Sequence, residues 1–281
     1  APVEHLRVGK LDLAKLPALD DLTDLVGGGA AAVLGAGLGH APVPARRGHE
    51  LTSNSGRIQP GGGGMLLGQK ISDRVAEMRT LPKGIDQRSA CRHPDWTGPD
   101  DLEIKILELR EITSWRVPIY VKVGGARPYF DTTLAVKAGA DVVVLDGMQG
   151  GTAATQDVFI EHVGQPTLAC IRQAVRALED LDMHREVQLV VSGGIRTGAD
   201  VAKALALGAD AIAVATAALM ACGCQQYRVC HTGKCPVGIT TQDEKLRARL
   251  DIDEPAKRLA NFLRVCTEEI RDFSRLTGMN D

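Results

Sequence analysis

Aromatic residues are scarce: Phe, Trp and Tyr make up 3% of the 281 residues. An excess of one charge sign is also lacking, since 33 basic residues face 35 acidic ones for a formal net charge of −2. A near-neutral chain has no electrostatic footprint for nucleic acid or an anionic membrane. No apolar run is long enough to span a bilayer, and the start carries no signal-peptide pattern, so a cytoplasmic protein is expected. With hydrophobic residues at 44% and no fibrous repeat, disorder and a fibrous fold are excluded. No Gly-x-Gly-x-x-Gly follows a first strand, which weakens a dinucleotide-binding sheet. What is plentiful is Gly, at 31 residues, together with Ala. That balance suits a tightly packed α/β protein with short turns better than a β-sandwich.

Cysteine is unevenly spread. The positions are Cys91, Cys170, Cys222, Cys224, Cys230, Cys235 and Cys266, an odd count with four inside 222–235. A disulfide framework of a secreted protein would be more even and even-numbered. Clustered thiols in a cytosolic chain point to metal binding or redox chemistry.

Hydrophobic patterning becomes regular after residue 64. Helical spacing predicts helices near 69–80, from the Asp100-Asp101 cap to Glu111, and over 131–138, 167–178, 198–207 and 254–276. Apolar runs predict strands over 117–123, 142–145, 187–191 and 211–215. Strands this continuously apolar belong to a parallel sheet buried on both faces. Two segments share one grammar, Ala135-Val-Lys-Ala-Gly-Ala-Asp141 and Ala204-Leu-Ala-Leu-Gly-Ala-Asp210. In each, Gly closes a helix and Asp turns the chain into a strand. Repeated βα units of this kind predict a (β/α)8 TIM barrel over an open doubly wound sheet. Residues 1–60 do not show the pattern beyond Leu-rich stretches around 11–25 and an apolar run over 30–38. At about 30 residues per unit the missing half would need about 120 residues. The start of the barrel is therefore expected to be incomplete or altered, with an exposed sheet edge.

Four constellations carry chemistry. Ser192-Gly193-Gly194 follows a strand, and Ala215-Thr216 follows the next. Paired loops after the last two strands of a barrel form its usual phosphate site, helped by the positive end of the following helix. Lys122 shares a strand face with Tyr120 at a strand's carboxyl end, where an ammonium is costly unless it reaches a site. The stretch Asp146-Gly147-Met148-Gln149-Gly150-Gly151-Thr152 offers hydrogen-bonding groups and bare backbone around a planar ligand. Cys224, Cys230 and Cys235, the last followed by Pro236, suit an iron–sulfur cluster of the three-cysteine, 3Fe-4S type. Zinc completed by His231 is the alternative, while Cys222 reads as packing. Arg88, Arg92, His93 and Asp95 can bind a dicarboxylate or form an ordinary polar loop. The tract Gly61 to Gly64 is either a linker or backbone kept bare for a ligand. Cys91, Cys170 and Cys266 read as buried small hydrophobes.

The stretch from about Gly61 to Leu276 resembles the FMN and 3Fe-4S synthase domain of the glutamate synthase large subunit, in its short archaeal-type and stand-alone bacterial form. The matching pieces are 60–70, 120–123, 146–152, 192–194, 215–219 and Cys224 to Gly238. The resemblance implies domain limits of 61–281, with the iron–sulfur loop at 222–238 and an unmatched segment at 1–60. It implies reductive amination of 2-oxoglutarate to L-glutamate through 2-iminoglutarate. It also implies FMN reduced through the cluster and ammonia supplied by a glutaminase domain or subunit. An electron-donor subunit or ferredoxin would complete a hetero-oligomer. Lys122 would stabilise the anionic reduced flavin. Ser192, Gly193, Gly194, Ala215 and Thr216 would hold its phosphate, and Gly62, Gly63, Gly64, Arg92, His93 and Asp95 would face the substrate. The same family includes the synthase-like subunit of methylamine–glutamate N-methyltransferase, which is the alternative reaction. A Lys of the family's motif stands here as Gln59, and its second phosphate loop Gly-Thr is Ala215-Thr216. Two further readings are an FMN barrel acting on 2-hydroxy acids, which would need no cysteine loop, and a phosphate-binding regulatory barrel without activity.

Overall fold

The computed structural model describes residues 32–34, 50–52, 65–88, 98–150 and 157–278. In chain order, the strands before the regular units are β1 (Ala32–Leu34), β2 (Glu50–Thr52), β3 (Met65–Leu66) and β4 (Gln87–Arg88), with helix α1 (Asp73–Arg79) between the last two. Helix α2 (Pro99–Ile112) opens a regular alternation: β5 (Tyr120–Gly124), α3 (Pro128–Lys137), β6 (Val142–Asp146), α4 (Asp157–His162) and α5 (Thr167–Asp180). It continues with β7 (Gln188–Ser192), α6 (Gly198–Ala206), β8 (Ala211–Val214), α7 (Thr216–Ala221), α8 (Glu244–Arg247) and α9 (Asp253–Thr277).

The main sheet runs β1-β8-β7-β6-β5-β2. Neighbours from β2 through β8 are parallel, as the apolar strands predict, whereas β1 lies antiparallel to β8. One face, with Val121, Val123, Val143, Leu145, Leu189, Val191 and Ile212, packs under α3, α5 and α6 in the large core. The other face gathers Val142, Val144 and Val190 with Tyr120, Ala211 and Ala213. Strand alternation puts Lys122, Asp146 and Ser192 on this second face.

The twin Gly-Ala-Asp segments behave alike. Gly139 and Gly208 take φ of 97° and 108°, conformations that suit glycine. Each closes its helix with the paired return bonds of a Schellman motif, Ala140 N–H to Ala135 O and Ala209 N–H to Ala204 O. The following Asp then ties two strands together at their amino ends. Asp141 N–H donates to Ile119 O at 3.0 Å, and Ile119 N–H donates to Asp141 Oδ2 at 2.7 Å. Asp210 and Leu189 repeat the exchange at 2.9 and 2.7 Å. Arg110 and Arg185 neutralise the two carboxylates. These Asp residues lie at the end of the sheet opposite the loops that follow β5, β6 and β7. Asp210→Ala is accordingly expected to lower stability by about 2 kcal/mol, read as a lower urea midpoint, without changing any ligand affinity.

Helix limits follow their caps. Ser72 accepts from Val75 N–H, so α1 starts later than the pattern predicts. Gly98 and Pro99, rather than Asp100, open α2. Helix α9 is long and amphipathic and docks on α6 and α7. Among the described residues no helix is long and apolar enough to cross a membrane.

Candidate functional site

Four adjacent strands meet at one rim. Gly124, Asp146, Ser192 and Ala213 are register partners on adjacent strands β5, β6, β7 and β8. Lys122 lies one pleat below, and its Nζ stands 3.6 Å from Asp146 Oδ2. Both side chains are partly buried, at 31% and 20% exposure, so the pair is neither a solvated rim contact nor a sealed one. The other carboxylate oxygen, Asp146 Oδ1, is buried and meets no donor. It fits only because residue 150 is glycine: a Cβ there would collide with Oδ1. A buried carboxylate oxygen without a donor is costly on its own and suits a ligand that brings an N–H or O–H.

The loops after these strands are knitted into one web. Gly147 N–H donates to Ser192 O at 3.0 Å, Met148 N–H to Gln165 O at 3.0 Å, and Gln165 N–H to Gly125 O at 2.8 Å. Gln149, predicted to face a cofactor, is exposed at the rim and turns its amide oxygen to the start of α5. There it accepts from Thr167 N–H at 2.9 Å. The Thr167 hydroxyl donates to Gly193 O at 2.7 Å. Thr167 itself is 2% exposed. Sequence reasoning missed this residue, because a Thr at a helix start reads as an ordinary first-turn residue.

In the Ser192 to Gly194 turn, Gly193 and Gly194 take φ of 107° and 74°. Both conformations favour glycine, and a Cβ on Gly194 would come within 2.7 Å of Gln149 Cβ. Gly193 is buried while Gly194 is exposed. The start of α6, expected from the sequence to add a positive end to this turn, has two of its N–H groups bonded to side chains. Gly198 N–H is taken by Glu269 Oε2 of α9 at 2.7 Å. Arg196 N–H goes to Asp200 Oδ2 and Asp200 N–H to Thr197 Oγ1. The second predicted loop behaves differently, since α7 starts at Thr216 after Ala215 with no side-chain cap. The turn and that uncapped start together fit a phosphate.

The cysteine loop is held by the segment before α1. Lys70 Nζ donates to Cys230 O at 2.6 Å, and Gly233, at φ 75°, lies where a Cβ would press within 3.1 Å of Lys70 Cγ. Cys235 is 7% exposed. Burial raises its thiol pKa, but N–H groups of Thr240, Val237 and Ile239 donate to the sulfur and bring the pKa below the ordinary value. A thiolate supported by backbone donors is the form that binds iron, so this donor set fits a cluster ligand. Cys224 and Cys230 are half-buried on the same loop. Among the described residues no three His, Cys, Asp or Glu side chains converge on a single metal ion. Three thiolates on one loop suit a cluster, which offers each thiolate its own iron. Cys222 is half-buried with its thiol pushed up by burial, as packing predicts. Cys170 and Cys266 are buried, and burial pushes the Cys170 thiol up to about 11.

Arg88 ends β4. Gly62, Gly63, Gly64, Cys91, Arg92, His93, Asp95, Gly151 and Thr152 lie outside the described residues, as does Gln59.

The family model described as the conserved region in glutamate synthase matches residues 56–280. A glutamate synthase large subunit-like protein of Rhizobium meliloti is 71% identical over 79% of this chain and 54% of its own length. The archaeal glutamate synthase (NADPH) of Methanocaldococcus jannaschii is 39% identical over 79% of this chain and 44% of its own. The chain thus spans about half the length of the curated relatives it matches. A flavocytochrome b2 mutant with pyruvate bound is 19% identical, with a TM-score of 0.43 over 82% of this chain and 44% of that one, a likeness too slight to bear on this site. The matched stretch takes in every strand from β3 onward, the rim loops and the whole cysteine loop, and the chain belongs to the glutamate synthase family.

Proposed function

We propose that this chain is the synthase part of a glutamate-forming oxidoreductase that uses FMN and a 3Fe-4S cluster, with residues 61–281 as its functional unit. The observation that carries this reading is the convergence at one sheet end of an ammonium, a carboxylate oxygen without a donor, and a two-glycine turn in left-handed conformation. Ser192, Gly193, Gly194, Ala215 and Thr216 hold the FMN phosphate through backbone N–H groups. Lys122 lies at the flavin ring and offsets the negative charge of its reduced form. Asp146 accepts from the cofactor and holds the Lys122 ammonium on the inner face. Gly147, Gly150, Gly151 and Thr152 line the cofactor with bare backbone and hydroxyl. Gln149 acts indirectly, by holding Thr167. Cys224, Cys230 and Cys235 hold the cluster.

When bound, FMN supplies a hydride to the imine carbon of 2-iminoglutarate, and the cluster supplies single electrons. The imine forms from 2-oxoglutarate and ammonia with loss of water. Arg92, His93 and Asp95, with Gly62, Gly63 and Gly64, form the pocket for the dicarboxylate. Ammonia comes from a glutaminase domain or subunit and electrons from a donor subunit or ferredoxin, so the working enzyme is a cytoplasmic hetero-oligomer.

The test is the visible spectrum of anaerobically purified protein, with iron and sulfide analysis and chromatography of the heat-released cofactor. FMN is expected, because the rim offers one phosphate turn and no dinucleotide fingerprint. FAD, or a folded protein free of flavin and iron, would overturn the reading.

A further inference from the structure

Thr167 lies outside every predicted cofactor loop, yet two of those loops are packed against it. A Cβ on Gly147 would collide with its Oγ1, and one on Gly193 would come within 2.8 Å of the same atom. Its hydroxyl lies 2.9 Å from Gln149 Oε1 and 2.7 Å from Gly193 O. A hydroxyl has one proton to give. Gln149 Oε1 is already served by the Thr167 backbone N–H, at 2.9 Å. The hydroxyl proton therefore goes to Gly193 O, the shorter contact.

That bond fixes more than a carbonyl. A trans peptide is planar, so its C=O and N–H point in opposite directions. With Gly193 O held toward Thr167, the N–H of Gly194 is held away from the packed web. The preceding peptide obeys the same rule. Ser192 O accepts from Gly147 N–H at 3.0 Å, so Gly193 N–H is also turned away from the β6 loop. Two successive N–H groups presented on the side away from the protein interior make an anion-binding concavity. Without the Thr167 hydroxyl, Gly193 O would be left without its side-chain donor. The adjacent glycine linkage has the conformational freedom to rotate and carry the Gly194 N–H out of line.

We infer that Thr167 is a positioning residue for phosphate recognition, holding the Gly193–Gly194 peptide so that its N–H faces the cofactor phosphate. The inference rests on the FMN reading above and extends it to a residue that touches no ligand. The chemistry concerned is a terminal phosphate monoester, which FMN carries and riboflavin does not.

The experiment compares FMN and riboflavin binding to the full chain by quenching of flavin fluorescence, in wild type, Thr167→Val and Thr167→Ser. Valine keeps the shape and removes the proton, while serine keeps the proton. Thr167→Val is expected to weaken FMN about tenfold, the scale of one hydrogen bond to a charged group, and to leave riboflavin unchanged. Thr167→Ser is expected to restore FMN affinity to near wild type. If Thr167→Val binds FMN as tightly as wild type, or loses FMN and riboflavin equally, the positioning role is overturned. A Thr167→Val chain with a collapsed urea midpoint and no FMN affinity returned by Thr167→Ser would likewise reduce Thr167 to a packing residue. If the wild type binds FMN no tighter than riboflavin, the turn is not a phosphate site, and the underlying reading fails instead.

Discussion

Replacing any one of Cys224, Cys230 or Cys235 with Ser is expected to abolish the iron–sulfur signal, while Cys222→Ser retains it. The effect is all-or-none because three thiolates leave no spare ligand. Cys235 carries the strongest structural case. Its sulfur is buried, which by itself disfavours the thiolate, and it is nevertheless set below the ordinary thiol range by N–H groups of Thr240, Val237 and Ile239. Such donors have little use on a packing thiol and considerable use on an anionic ligand. Cys222 has the opposite environment: burial pushes its pKa up, and it sits at the C-terminal cap of α7. Low-temperature EPR of the oxidised protein, with iron and sulfide counts, separates the four variants, and far-ultraviolet circular dichroism checks that each folds. Equal loss in Cys222→Ser would make the site a four-thiolate one and overturn the assignment.

The second large effect is expected at Lys122 and Asp146, with opposite signs. Lys122→Met keeps most of the bulk and removes the cation. A charge contact in a partly exposed site is worth on the order of 1–3 kcal/mol after allowance for screening. The variant should bind FMN more weakly and shift the flavin potential to more negative values. Asp146→Asn removes the neighbouring negative charge, so it should shift the potential the other way. Lys122→Met also strands Asp146, whose Oδ1 already meets no donor and whose Oδ2 faces the Lys122 ammonium at 3.6 Å. A stability loss of about 1–2 kcal/mol should accompany the change in potential. If the pair were only a structural salt bridge, both substitutions would lower stability and neither would move the potential. Spectroelectrochemical titration of the FMN-loaded proteins decides between these outcomes.

The regular half of the fold was legible because each unit carries its own local signals. Apolar strands, glycine closures and the Asp that follows them are all encoded within a few residues, and β5 to β8 fall where those signals predict. Strands β1 and β2 were not legible. They are three residues each, and their pairing with β8 and β5 is decided by distant partners rather than by local pattern. The same division runs through the site. Lys122, Asp146 and the Ser192 to Gly194 turn were predicted from residue type and strand position. Thr167, Lys70 and Glu269 were not, because their partners are 26, 160 and 71 residues away in sequence. The Gln149 bond was not legible either: its amide oxygen accepts from Thr167 N–H, 18 residues away in sequence.

The Glu269 contact has a consequence for how the chain comes off the ribosome. The carboxylate that closes α6 is made 71 residues after the glycine it binds. While the chain emerges, α6 can form, but the N–H of Gly198 lacks this partner and the docking surface for α9 stays bare. The β7–α6 unit, and with it the glycine turn just upstream, reaches its final packing only after residue 269 has been added. Nascent chains in which that residue is still inside the ribosomal tunnel should therefore be open to protease at the start of α6, and those in which it has emerged closed.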